Sequence, residues 1–576
     1  MTRVMWRCVE KRVVWRQVRC VSREANVSRL RRERLDVLVV GGGATGGGIA
    51  LDAALRGLKV GLIERGDFGS QTSSRSTKLI WAGIKYVATA VAELLRPGNL
   101  FRPLSALAEA RAEMRLVSAA HRERVFMLET QAHLTSWLPI CVPVTKWVMV
   151  PPPLGHPLFS LAPLALPLVF KFYDYLGGFR CPGSYVMSRR QVAEKFPQLD
   201  QSSLKYAAVF YEGSHNDART ALAIALTAAE NGALVANHVE MKGFAAAEEG
   251  VACRDLLAGD EFVVAADRVV FAGGPFTDRL RGPSAEPAVT GAAGSHVVLR
   301  AGLTPPDMGL LDMSTSDGRF LFVVPWQGHT IIGTTDVPGE PTSTAAAPED
   351  EIRWLLREGA KYLSADPTRD EVRSAWRGWR PLAHDPHNQN GGGSFQSRDH
   401  VVAEDPDTGA IFVAGGKWTT YREMAQDVVD RLSSTPCTTL TKKLVGGDGF
   451  PGHRELADQL SVDDPDVAAH LAATYGTRAS EVLDSGSHAR LHPDFPYIEA
   501  EVRYACDSEL ARTVYDVLSL RTRLAFLDSD AAILVAPRVA DLVADALGWS
   551  DHQKAVNLRA TLDALREFAG PDRPAR

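Results

Sequence analysis

The sequence predicts an α/β protein closed by an all-helical C-terminal region, and three stretches carry that expectation. "LDVLVVGGGATGGGIALDAALRGLKVGLIER" reads as strand, glycine turn, helix and second strand. "GAIFVAGGKWTTYREMAQDVVDRL" repeats strand, Gly-Gly and helix much later in the chain. From about Gly446 onward, segments such as "EVRYACDSELARTVYDVLSLRTRLAFL" have helical periodicity, and no glycine turn follows a strand.

In the first stretch, Val37 to Val40 form a buried parallel strand, and Gly41, Gly43 and Gly46 satisfy G-x-G-x-x-G. Small residues (Ala50, Ala53 and Ala54) let the helix pack closely, Gly57 stops it, and Val60 to Ile63 form the next strand. The glycines permit a tight turn and close backbone approach, so the helix N-terminus faces a pyrophosphate. Glu64, ending the second strand, accepts hydrogen bonds from an adenosine ribose, and its charge disfavours a 2′-phosphate. NAD and FAD both remain at this point.

The second stretch decides between them. Gly415 and Gly416 precede a helix whose Thr420 and Glu423 have capping-box spacing, with Met424, Val428 and Leu432 as its apolar stripe. An NAD domain has no use for a second such turn so late. A flavin does, because its ring lies far from the pyrophosphate and its reduced form carries negative charge that a helix N-terminus stabilises. "RVVFAGGPFTD", with Gly273 and Gly274, fits a returning strand beneath the cofactor. FAD is the expected cofactor.

Composition bounds the rest. The 576 residues, 45% hydrophobic and 23% charged, suffice for several domains, and a net charge of −5 argues for no nucleic-acid partner. Seven scattered cysteines without a C-x-x-C pair predict neither a disulfide framework nor a metal site. Residues 1–34 hold ten Arg and one Lys against three Glu and resemble a mitochondrial transit peptide, expected to lie outside the fold. The apolar run "VMVPPPLGHPLFSLAPLALPLVFKFYDYLGG" is too rich in proline to span a bilayer alone. It reads either as an interfacial membrane-surface segment or as a proline-rich core loop. "DPDTG" at Asp405 lacks the further acidic ligands of a calcium loop.

The ordered motifs "SQTSSRSTKLI", "YEGSHNDARTALAIALTAAENGA", "AGGPFTD", "GSHVVL", "FVVPWQGHTIIGTTDVP", "GWRPL", "SRDH", "VAGGKWTTYREMA" and "DVLSLRTRLAFLD" resemble the FAD-dependent, quinone-linked glycerol-3-phosphate dehydrogenases of mitochondrial type. The similarity runs from about Leu35 to Trp549. It implies an FAD-binding Rossmann-type domain built from discontinuous segments, 35–445, carrying a mixed-sheet substrate domain at roughly 100–200 and 285–385. Residues 446–576 would form the helical domain.

The resemblance also implies residue roles. Cofactor contacts fall on Thr72, Ser73, Ser74, Thr77, Lys78, Trp418 and Thr419 besides the glycines and Glu64. Substrate contacts fall on Lys85, Tyr86, Arg380, Arg398 and Lys417, with His296 as general base and Arg380 and Lys417 also at the chemistry. His215, Asn216 and Asp217 shape a helix N-terminus. Trp81, Ala82 and Lys85 depart from the family pattern His-Gly-Gly-Val-Arg-Tyr-Leu, which predicts weaker phosphate binding because lysine lacks the guanidinium fork. The implied partners are glycerol 3-phosphate, a ubiquinone-type acceptor and the inner mitochondrial membrane surface, with a homodimer also compatible. The alternatives are an oxygen-reducing glycerol-3-phosphate oxidase and a non-catalytic flavin-binding protein.

Overall fold

The computed structural model describes residues 22–571 apart from 85, 88–89, 91–102, 149–161, 246–249, 314, 362, 364–365 and 385–399. Lys85 and Arg398, both expected at the substrate, lie outside the described residues, as do 1–21 and 149–161 of the proline run.

Strand β1 (Leu35–Val40) runs between parallel neighbours, β10 (Glu261–Phe271) and β2 (Val60–Ile63), and its two faces enter separate apolar cores, Val37 and Val39 on one side and Leu38 and Val40 on the other. Among the described residues the sheet continues through β7 (Leu234–Ala236) beyond β2. On the other side come β18 (Ile411–Gly415) and the antiparallel edge strand β17 (His400–Glu404). The sheet is therefore assembled from three distant pieces of chain, as expected for a discontinuous dinucleotide domain.

Helix α2 (Ala44–Leu55) crosses that sheet between the helices Asp217–Glu230 and Tyr421–Val429. Its glycines set the distance. A Cβ on Gly47 would stand 3.2 Å from Ile224, and one on Gly48 3.1 Å from Tyr421.

The fold takes in part of the segment expected as a leader. Ser22 caps helix α1 (Arg23–Leu30), Val27 and Leu30 join the core beside Leu35 and Leu38, and buried Arg23 pairs with Asp255 at 2.8 Å. Basic composition hid this, because one of those arginines is an interior ion-pair partner and the helix is only two turns long.

The second sheet is mixed, with ten strands among the described residues. At one end of it runs the long antiparallel pair β11 (Val289–Arg300) and β16 (Val372–Ala383). The expected hairpin forms between β13 (Leu321–Trp326) and β14 (His329–Gly333). Its turn residues Gln327 and Gly328 both have positive φ, 46° and 74°, as a tight two-residue hairpin requires. Strand β6 (Tyr206–His215) pairs along its length with β4 (Thr135–Val144), so this sheet continues past the expected boundary near residue 200.

The C-terminal region is helical, including Pro465–Tyr475, Glu499–Ser508, Ser529–Leu547 and Asp551–Arg566. Buried ion pairs fasten it to the first domain: Arg521 to Asp67 at 2.6 Å, Arg219 to Glu509 and His238 to Asp516 at 2.9 Å. No described helix is long and apolar enough to cross a membrane.

Candidate active site

One cleft of about 1000 Å³ runs from the first glycine turn to the second and ends against the mixed sheet. At the near end Gly41 has φ 112°, and a Cβ there would lie 2.4 Å from the Ala272 carbonyl oxygen. A Cβ on Gly46 would meet the Gly41 carbonyl oxygen at 1.8 Å, so Gly46 keeps helix and turn together without itself lining the cleft. Gly43, at the N-terminus of α2, offers no capping side chain, and the first turn holds no acidic residue. Such an end attracts an anion. Glu64 accepts from the Gly42 amide at 2.6 Å and the Gly66 amide at 2.8 Å while lining the cleft, which leaves its remaining lone pairs for a ribose. This cradle fits the ADP half of FAD.

The two glycine turns are tied together. The Trp418 indole donates to the Ser73 carbonyl at 2.9 Å, and the Thr419 hydroxyl to that of Trp81 at 3.0 Å. Gly273 and Gly274 line the same wall, and Gly415 and Gly416 adopt positive φ before the turn Trp418–Thr420. The expected capping box is absent here. A 3₁₀ turn precedes the helix, and the Thr420 hydroxyl bonds to the Lys417 carbonyl instead of to Glu423.

The far end follows from strand alternation. In the β11–β16 register His296 faces Trp376 and Ala292 faces Arg380, with Gly294 opposite Gly378 between them. Residues two apart share a face, so His296 and Arg380 project together over a floor kept low by two glycines. A Cβ on Gly294 would collide with Thr334 at 2.3 Å and with the Arg380 guanidinium at 2.7 Å. Arg380 donates to Asp336 at 2.8 Å and to Thr334 at 3.1 Å. Across the cleft the Lys417 ammonium sits 4.0 Å from the Tyr86 ring centroid, and Tyr86 lies beside Trp81 at 5.7 Å. Cations, an imidazole and a phenol thus converge on one pocket.

His296 stacks on Trp376 with ring centroids 5.1 Å apart, and its Nε2 lies 2.9 Å from the Thr77 hydroxyl. Its pKa is held well below the ordinary value, first by burial, then by the Lys78 ammonium and the Arg380 guanidinium, with Asp217 opposing. The ring is neutral at neutral pH.

Thr72, Ser73 and Thr77 line the cleft as expected, Ser73 accepting from the Ala44 amide at 3.0 Å and Thr72 donating to the Trp379 carbonyl at 2.6 Å. Ser74 and Lys78 stand behind the wall. Buried Lys78 pairs with Asp217 at 2.8 Å, donates to the Ser74 carbonyl at 2.7 Å and packs among Trp326, Trp376 and Phe526. Burial pushes its ammonium down to about 7, against the pull of Asp217. Asn216 caps the helix Asp217–Glu230, the role expected for that motif. Arg319 and Asp336 also line the pocket and were not expected. Their sequence setting, a turn at Asp317–Gly318 and the residues after β14, carries no pattern that sets them apart from surface charges.

The comparisons with known proteins concern the fold and the family. The family model "FAD dependent oxidoreductase" matches residues 36–422, and "C-terminal domain of alpha-glycerophosphate oxidase" matches 437–554. The chain is 41% identical to mitochondrial glycerol-3-phosphate dehydrogenase of Macaca fascicularis over 93% of its own length and 74% of that protein's. Against the Homo sapiens protein of the same name, identity is 41% over 95% and 75%. Among solved structures it resembles glycerol-3-phosphate dehydrogenase from Bacillus halodurans complexed with FAD. The TM-score is 0.73 at 26% identity, covering 96% of this chain and 99% of that one.

Proposed function

Since the chain belongs to the FAD-dependent glycerol-3-phosphate dehydrogenase family, we propose that it oxidises sn-glycerol 3-phosphate to dihydroxyacetone phosphate and passes the electrons to a membrane quinone. The observation that carries this reading is the single cleft in which an ADP cradle meets a pocket holding Arg380, Lys417, Tyr86 and His296. FAD, when bound, supplies the two-electron acceptor.

The chain's own residues do the rest. Arg380 offers a planar fork to the substrate phosphate, already oriented by Asp336 and Thr334. Lys417 adds a second cation, held over the Tyr86 ring at the mouth of the second glycine turn. Lys85 and Arg398 complete the phosphate-binding set in this reading. Neutral His296 accepts the proton of the hydroxyl being oxidised, which a charged imidazole could not do. The aromatic walls Trp81, Phe322 and Trp379 limit water around the reacting carbon.

The helix Ala162–Leu176 and its surroundings form the membrane-facing surface. Leu164, Leu168, Phe172, Tyr175 and Phe179 are exposed at helical spacing, joined by Trp147, Tyr185 and Val186. Exposed Lys146, Lys171, Arg180 and Arg190 flank them. An apolar face edged with aromatic and basic residues suits the interface of an anionic leaflet, here the inner mitochondrial membrane.

Anaerobic addition of glycerol 3-phosphate should bleach the oxidised-flavin band near about 450 nm, and a soluble quinone should restore it. An unbleached flavin would remove the dehydrogenase reading. The match of residues 437–554 to an oxidase C-terminal domain keeps a second acceptor in view. Stoichiometric peroxide without quinone would favour oxygen as the physiological acceptor.

A further inference from the structure

Of the two ring nitrogens of His296, only one is placed to exchange a proton with the cleft. Nδ1 is buried and has no hydrogen-bond partner among the described residues. Nε2 already touches the Thr77 hydroxyl at 2.9 Å, and Thr77 itself lines the cleft. The ring cannot swing to present its other edge. Trp376 lies nearly parallel to it at an interplanar angle of 13°, and Gly333 backs it so closely that a Cβ there would stand 2.2 Å from the imidazole Cδ2.

Thr77 is held just as firmly. Its neighbours on both sides are fastened to one carboxylate: the Ser76 amide and hydroxyl donate to Asp217 at 3.0 and 2.7 Å, and the Lys78 ammonium at 2.8 Å. A β-branched side chain on a pinned backbone has few rotamers to choose from. A hydroxyl, moreover, donates one proton while accepting another.

We propose that Thr77 is a catalytic residue that relays the substrate's hydroxyl proton to His296. This rests on the reading of His296 as the general base. The substrate O–H bond breaks and its proton bonds to Thr77 Oγ1, while the proton Thr77 carried passes to His296 Nε2. The O–H electron pair becomes the second bond of the new carbonyl. FAD, the oxidant of the family's reaction, would when bound supply the acceptor for the C2–H pair. Thr77 ends unchanged and His296 ends as imidazolium.

The charged groups around His296 fit that cycle. Lys78 and Arg380 disfavour its protonation and Asp217 favours it, while Arg523 and Arg75 act on the Lys78–Asp217 pair behind it. When a phosphate dianion engages Arg380, one of the two depressing charges is offset. The ring then gains basicity as substrate binds.

The test is rapid-reaction flavin reduction in the holoenzyme, in H₂O and D₂O. Thr77→Val should slow reduction by about 10²-fold or more, the range for loss of positioned proton transfer, with substrate affinity nearly kept. Thr77→Ser should recover most of the rate. The parent enzyme should give a curved proton inventory, two protons moving together. Wild-type reduction in Thr77→Val, or a linear inventory in the parent, would overturn the relay. The inventory is informative even if Thr77→Val does not fold. His296→Gln separates the two readings: undiminished reduction there defeats the base assignment, whereas a slow His296→Gln beside a fast Thr77→Val defeats only the relay.

Discussion

Arg380 illustrates how much a single side chain's shape matters. Its two terminal nitrogens are already committed to fixed acceptors, Asp336 and Thr334, so the guanidinium plane is set before substrate arrives. Lysine would keep the charge but not the plane. Arg380→Lys should therefore raise KM for glycerol 3-phosphate at least tenfold, since a hydrogen bond to a charged group contributes about 1.5–3 kcal/mol. Steady-state rates with a soluble acceptor measure this, and an unchanged KM would place the phosphate elsewhere. The residues inside local motifs were legible in the sequence: Gly41, Gly46, Glu64 and the Gly415–Gly416 turn line up with the backbone strictures found. Lys78 was not, because its left-handed backbone conformation leaves no mark in the motif. Thr77 faces the cleft, and Lys78, with φ 67°, turns into the protein.

Elements were legible where periodicity or turn chemistry is local. The β1–α2–β2 unit and the Gln327–Gly328 hairpin follow from residues within a few positions of one another. The start of the helix Tyr421–Val429 differs from the sequence expectation, because capping-box spacing does not reveal an intervening 3₁₀ turn. Helix α1 escapes the sequence for a related reason: its partner, Asp255, ends a distant strand, Gly250–Asp255. The helix Ala162–Leu176 was read as either interfacial or core, and its two faces are in fact distinct. Leu166, Phe170 and Tyr173 are buried, whereas Leu168 is 74% exposed. Replacing Leu168 and Phe172 together by Glu should abolish flotation with anionic vesicles, while flavin reduction by glycerol 3-phosphate continues at the parent rate. Undiminished flotation would move the membrane contact to another surface.

Across the whole molecule, buried charges tie the C-terminal helices to the flavin domain, in addition to the apolar core those helices share with the mixed sheet. The His238 imidazole, beside β7, donates from Nε2 to the Asp516 carboxylate at 2.9 Å. Burial alone would depress the His238 pKa, but Asp516 outweighs it and the net shift is upward. A raised folded-state pKa contributes stability that is fully present below the unfolded value, about 6.5 for histidine. That contribution is lost as pH rises through the folded value. Thermal unfolding temperature should accordingly fall as pH is raised from near neutral into the alkaline range. Asp516→Asn should flatten that part of the slope, whatever it does to absolute stability. A slope identical in the variant would assign the pH dependence to other groups.

The sequence by itself determined the dinucleotide turn, the flavin inference from its repetition, the discontinuous α/β plan and the helical end, because each depends on short-range spacing of glycines and apolar residues. Only the tertiary structure decided which of Thr77 and Lys78 meets the cleft, that Arg319 and Asp336 join the pocket, and that α1 belongs to the folded domain. Those outcomes depend on strand register and on contacts between residues hundreds of positions apart. Side-chain direction on a sheet reverses with every residue, so a site assembled across β11, β16 and three loops exists only once their registers are fixed.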